Sequence, residues 1–193
     1  MNATMLRRCA LPAVLLLLTA CASAPEHLYT LETAEAPPTD LRPDLPMVLV
    51  AQVSVPELVD RPQLVVREGK YDVSVREQER WAIPLKEMLP QVIARELSAR
   101  CPGAAFRAMT DTTIGTNHAS LSVVFTNVEI NVATGASVVA HWTYRDRATP
   151  STEGVAEGHA AIDSKNGSND VDGIQRALNV WADSVANQLP VCR

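Results

Sequence analysis

The run Ala119-Ser120-Leu121-Ser122-Val123-Val124-Phe125-Thr126-Asn127-Val128-Glu129-Ile130-Asn131 alternates apolar and polar side chains through Leu121, Val123 and Phe125. That is the period of a strand with one buried face. A second run, Ser137 to Arg145, repeats it in Val138, Ala140, Trp142 and Tyr144. Thr134-Gly135 supplies the turn between them. A third strand, Gly154 to Asp163, ends at the turn signal Asn166-Gly167. The three predict an antiparallel meander.

Two helices flank it. Asp170 to Leu189 carries Val171, Ile174, Leu178, Trp181, Val185 and Leu189 at three- and four-residue steps, after cap candidates Ser168, Asn169 and Asp170 and before Pro190. Trp81 to Ala99 carries a similar stripe through Leu85, Met88, Leu89, Val92, Ile93 and Leu97. Pro84 suits its first turn. Pro90 predicts a kink, or a helix that begins only near Leu89. Ahead of this helix, Met47 to Val55 reads as a buried strand, and Gln63 to Arg67 with Tyr71 to Val75 as a hairpin around Gly69. Ala105 to Met109 adds a short strand, and His27 to Leu31 can add an edge strand. The fold class is therefore α/β (α+β): a mixed sheet with an antiparallel meander, packed by two amphipathic helices.

The N-terminus has the parts of an export leader: Arg7 and Arg8, an apolar run from Ala10 to Leu18, and small residues after it. The run is shorter than the roughly 20 residues a spanning helix needs. Leu18-Thr19-Ala20-Cys21 looks like a bacterial lipobox, so lipidation at Cys21 is expected, with acyl chains such as palmitate anchoring the mature chain. Ala22 and Ser23 follow, with no Asp there, which by resemblance to bacterial lipoproteins favours the outer membrane. Residues 1–20 form the leader, 21–46 the acylated cysteine and a Pro-rich, acidic tether, and 47–193 one domain.

The formal charge is −5, and loss of Arg7 and Arg8 with the leader makes the chain more acidic. That balance argues against nucleic acid and against binding an anionic membrane by charge alone. With Cys9 removed and Cys21 acylated, Cys101 and Cys192 remain, each just past a predicted helix, in an oxidising compartment. We expect a disulfide in preference to two unpaired thiols. If the helices share a face and run parallel, their C-terminal ends meet and the bridge can form. It would close a loop of about 90 residues, worth roughly 4 to 5 kcal/mol in the chain-entropy model.

Nothing in the residues argues for catalysis or a cofactor. His118, His141 and His159 fall on or beside strands without the helical spacing of a zinc motif, and His27 lies apart. Asp146, Glu153, Glu157 and Asp163 read as solvated carboxylates. Asn166-Gly167-Ser168 matches a glycosylation acceptor, but a bacterial chain makes it a turn.

Two segments stand outside this account: VPELVDRPQLVVR, from Val55 to Arg67, and RWAIPL, from Arg80 to Leu85. Together they resemble the PqiC-like lipoproteins, auxiliary components of ABC-type transport systems, whose pattern pairs VPxxLDRPQIV with RWAEPL and places YYxL soon after the lipidated cysteine. Here the last piece is Leu28-Tyr29-Thr30-Leu31, with leucine for the first tyrosine, and Ile83 stands where an acid is common. The resemblance implies a non-enzymatic accessory lipoprotein on the periplasmic face of the outer membrane of a Gram-negative bacterium. Its partner would be a PqiB-like Mce-domain protein that moves lipids between the membranes, with a homo-oligomer and bound lipids as further expectations. Candidate contacts with the partner or other copies are Pro56, Asp60, Arg61, Arg67 and Arg80, and candidate motif core residues are Trp81, Pro84 and Leu85. The alternative reading is a periplasmic lipid-binding carrier with its own apolar pocket.

Overall fold

A computed structural model describes residues 25–33, 45–109, 118–147 and 150–193. The strands are β1 (His27–Tyr29), β2 (Met47–Ser54), β3 (Gln63–Arg67), β4 (Val73–Trp81), β5 (Ala105–Ala108), β6 (Ala119–Asn131), β7 (Gly135–Arg145) and β8 (Thr152–Ala160). The helices are α1 (Leu85–Arg100) and α2 (Gly167–Gln188), followed by a 3-10 turn, Pro190–Cys192. All eight strands join one mixed sheet. Strands β6, β7 and β8 form the antiparallel meander.

The sheet is organised around β6, which has 13 residues. One edge pairs with β7 from Ser120 to Asn131. The other edge is shared: β2 pairs with Ala119 to Val124 and β3 only with Ile130 and Asn131, both in parallel. Residues 125–129 of β6 therefore face no strand on that side. A register shift between Phe125 and Asn127 marks the same place. One extra residue reverses which face the following side chains meet. Leu121, Val123 and Phe125 are buried before it, Val128 and Ile130 after it.

Both helices lie on the face that these residues share. Leu85, Met88, Leu89, Val92, Ile93 and Leu97 of α1 are all buried, as are Ile174, Leu178, Trp181 and Val185 of α2. The Trp181 ring meets Phe125 with centroids 5.5 Å apart. On β8, Gly158 lets α2 approach closely: a Cβ there would lie 1.9 Å from the Ala177 carbonyl oxygen. The helices descend in the same sense, and at their C-terminal ends Cys101 and Cys192 form a disulfide with Cα atoms 4.7 Å apart. Arg100 of α1 also reaches Asp183 of α2 at 2.5 Å.

Several boundaries differ from the sequence-based expectation. Trp81 ends β4 and does not start the helix; α1 begins at Leu85, with Pro84 as its N-cap. The helix is continuous through Pro90 and does not wait for Leu89 to begin. The predicted strand Tyr71 to Val75 starts later and runs on to Trp81, because Arg76 and Arg80 pair with β3 and Glu79 to Trp81 pair with β1. α2 starts at Gly167, capped by the Asn166 side chain, which accepts from the Asn169 amide at 3.0 Å. Cys21 lies outside the described residues.

Gly158→Ala forces α2 off β8 and should lower stability by about 1 to 3 kcal/mol, the usual cost of overpacking a core. A urea midpoint equal to that of the parent would contradict this contact. Cys192→Ser opens a loop with a sequence separation of 91. It should lower stability by about 2 to 4 kcal/mol in non-reducing buffer, while added reductant should destabilise the parent and leave the variant unchanged.

Candidate functional site

The gap beside residues 125–129 of β6 sets the path of the chain from β2 to β3. It crosses through Val55 to Pro62, the segment singled out by its sequence. Its turn is closed by the Val59 and Asp60 amides, which donate to the Pro56 carbonyl at 3.0 and 3.2 Å. Pro62 then accepts from the Trp81 amide at 2.7 Å. The same residue is paired across the sheet with Tyr29, whose carbonyl accepts from the Ala82 amide at 2.8 Å. Three segments scattered along the chain, 28–31, 55–67 and 80–85, thus close around the backbone of Trp81.

Trp81 and Leu85 are buried at this junction, and Pro84 is exposed at the head of α1. Lys86 donates to Asp60 at 2.9 Å, a contact that raises the lysine pKa. Arg80 donates to the Glu77 carbonyl and pairs with Glu26 at 3.3 Å. Arg67 pairs with Glu129 at 2.5 Å. Among the described residues Arg61 forms no ion pair and is exposed. The structure therefore gathers Pro56, Asp60, Arg61 and Arg80 near one corner and gives Arg67 a partner on β6. A cleft of about 200 Å³ separates the turn from the sheet, lined by Pro56, Leu58, Val59, Val65, Thr126 and the Arg67–Glu129 pair.

A second polar assembly was not evident in the sequence. A register shift in β4 leaves residues 77–79 without partners on β3 and turns Glu79 toward the start of α2. Glu79 accepts from the Gly167 amide at 3.0 Å and pairs with Arg76 at 2.9 Å. Arg76 also donates to Ser164 at 3.2 Å and lies 2.9 Å from the fully buried Asp170 carboxylate. That last approach is a charge contact without hydrogen-bond alignment, so neither Asp170 oxygen has a well-directed donor. Burial pushes the Asp170 carboxyl up, and the Ser164 hydroxyl and the Arg76 guanidinium oppose the shift. Tyr29 closes the assembly: a Cβ on Gly167 would lie 2.7 Å from its ring. Its phenol is raised by burial and then by Glu79. Asn166-Gly167 is thus the cap and close-packed first residue of a helix. Beside it, Tyr29, Thr30, Glu32, Ser168, Val171 and Gln175 line a cleft of about 250 Å³.

His141 and His159 are exposed on the sheet face away from the helices. Among the described residues no group of three or more potential metal ligands comes together. No helix among them is long and apolar enough to cross a membrane.

Residues 29–189 match the family model described as the ABC-type transport auxiliary lipoprotein component. No curated protein matches the sequence. The solved structures that share the fold include two crystal structures. One, of an uncharacterised protein, has a TM-score of 0.64 at 17% identity and covers 85% of this chain and 96% of its own. The other, a DUF330-family protein from Xanthomonas campestris, has a TM-score of 0.63 at 16% identity and covers 82% and 92%.

Asp170 binds its proton more tightly in the native state than in the unfolded chain, where it titrates near 3.8. Between those two values the native protein holds the extra proton, so this group makes stability fall as pH rises through the window. Arg76→Met removes the opposing charge and should widen that window. It should also cost about 3 kcal/mol at neutral pH, the low end for breaking a buried pair. Asp170→Asn should flatten the dependence, and urea midpoints measured across the acid range decide both.

Proposed function

Because the chain belongs to the family of ABC-type transport auxiliary lipoprotein components, we propose that it is the outer-membrane-anchored, non-enzymatic subunit of an intermembrane lipid transport system. It docks through the corner around Trp81 onto a periplasm-spanning Mce-domain protein. The observation that carries this reading is the convergence of the three family-like segments on one exposed corner. A turn that served only to connect β2 to β3 would not need to be tied to α1 by Asp60 and Lys86. It would not need to present Arg61 without an ion-pair partner among the described residues either. Rim charges of this kind select partners and raise association rates.

Lipobox acylation supplies location, and the corner supplies recognition. The carrier alternative finds less support. Among the described residues, the clefts of about 200 and 250 Å³ at the two polar assemblies fall below the roughly 300 to 1,000 Å³ of ordinary small-molecule sites, and a two-chain lipid needs more.

Purification of the tagged, acylated protein from its own membranes in mild detergent should recover an Mce-domain protein, identified by mass spectrometry. Arg61→Glu should reduce that recovery by about tenfold or more, whereas Arg95→Glu, on the exposed side of α1, should not. Recovery of the lipoprotein alone, carrying lipid, would move the function to the carrier.

A further inference from the structure

Strand directions set the end from which the chain enters the domain. β3 and β6 rise together and finish at Arg67 and Asn131. At that upper end lie the loop 68–72 joining β3 to β4 and the turn 132–134 joining β6 to β7. β4 descends from the loop, and β1 pairs with it in parallel, His27 opposite Glu79. Pro25 and Glu26 therefore precede His27 on the side of the upper end. The disulfide lies at the opposite end, below the last turns of both helices.

Lengths match this direction. The six residues from Cys21 to His27 reach at most about 20 Å. From the level of His27, the upper part of the β3–β4 hairpin projects roughly 15 to 20 Å by strand rise. A membrane that holds Cys21 can thus meet the hairpin tip, while the disulfide end lies far beyond reach of the same spacer.

The tip carries a side chain suited to that contact. Aromatic residues are scarce in this chain, and Phe106, Phe125, Tyr144 and all three tryptophans are buried. Tyr71 is instead 83% exposed at the tip, with the Lys70 ammonium 5.2 Å from its ring centroid. Val73 and Val132 beside it are 41% and 43% exposed. An amphipathic aromatic between a flexible cation and the Asp72 carboxylate, with two part-exposed valines at the same end, fits the level of lipid headgroups, where ammonium and phosphate groups meet both charges.

We infer that the upper end, through Tyr71 and Lys70 of the β3–β4 hairpin with Val132 beside them, rests in the headgroup layer of the membrane that holds the acyl anchor. This contact sets the orientation of the domain and leaves the disulfide end pointing away. The inference rests on acylation of Cys21 and goes beyond it, since an anchor on a flexible spacer leaves orientation free.

The test uses full-length protein matured through its own leader and reconstituted into vesicles of phosphatidylethanolamine and phosphatidylglycerol. An environment-sensitive fluorophore is placed in turn on Tyr71→Cys, Val132→Cys and, at the far end, Asn187→Cys. Emission at 71 and 132 should shift to the blue and be quenched by headgroup-labelled lipids, and emission at 187 should do neither. If the protein floats with the vesicles and its N-terminal peptide carries acyl chains, yet 71 and 132 report only water, the membrane contact is wrong and the anchor stands. The hairpin is then a surface for protein. If Cys21 is unmodified and the protein does not float, both the anchor and this inference fall.

Discussion

A strand of 13 residues with two successive neighbours on one edge is the constraint on which the rest of the molecule depends. β2 is too short to cover β6 and β3 joins it only at the top, so the connection between them must cross a gap where β6 has no partner. An uncovered strand edge exposes backbone donors and acceptors and invites unwanted pairing. Here the segment from Val55 to Pro62 lies against that opening. Its prolines fit the role, because they add no backbone donors, and Pro62 presents its carbonyl to Trp81. The bulge in β6 belongs to the same solution: it returns Val128 and Ile130 to the core after the gap has been passed.

The parts of this fold that were readable from the sequence are those whose order depends on near neighbours. The period of two in Leu121, Val123 and Phe125 and the helical stripe ending in Trp181 and Val185 each follow from one element burying one face. Trp81 was misassigned to the helix because Arg76-Glu77-Gln78-Glu79-Arg80 has no apolar period of its own. Pairing with β3 and β1 makes those residues a strand, and such partners are invisible in a local window. The Arg76–Glu79–Asp170 assembly was unreadable for a similar reason, since β4 and the start of α2 are brought together only by the finished sheet. Asp170, a cap candidate by sequence, is fully buried in the first turn of α2. For the candidate corner, sequence marked the three segments that the structure brings together. What it lacked was their meeting point on the Trp81 backbone and the ion pairs of Asp60 and Arg80.

The two ends of the helical layer are fixed by different physics. At the lower end a covalent bridge and Arg100 join α1 to α2. At the upper end α2 starts against carboxylates: Glu79 accepts its first amide, and negative charge at a helix N-terminus is favourable. The cost is a carboxyl, Asp170, buried with one imperfectly aligned counter-ion. A buried pair of this kind is weak evidence for stability, and an apolar replacement of both partners often does as well. Its retention makes more sense as a device for register, because only one placement of β4 presents Arg76 and Glu79 to α2 together.

That register matters for the first strand. β1 has three residues and a parallel partner, too little pairing to persist by itself. Side chains make up the difference: Tyr29 packs on Gly167, Leu31 is buried, its amide meets the Met88 sulfur, and Glu26 pairs with Arg80. Every one of these contacts lies within a dozen residues of Cys21. Any pull transmitted from an acyl chain on that cysteine reaches β1 first, then β4 through the Arg80 and Trp81 pairing, and only then the core. Trp81 is also where the 55–67 turn is fastened. Strand β1 and the corner around Trp81 are therefore joined by two adjacent strands and one backbone hydrogen bond. In the proposed role, a partner met at a fixed height above the membrane calls for that rigidity.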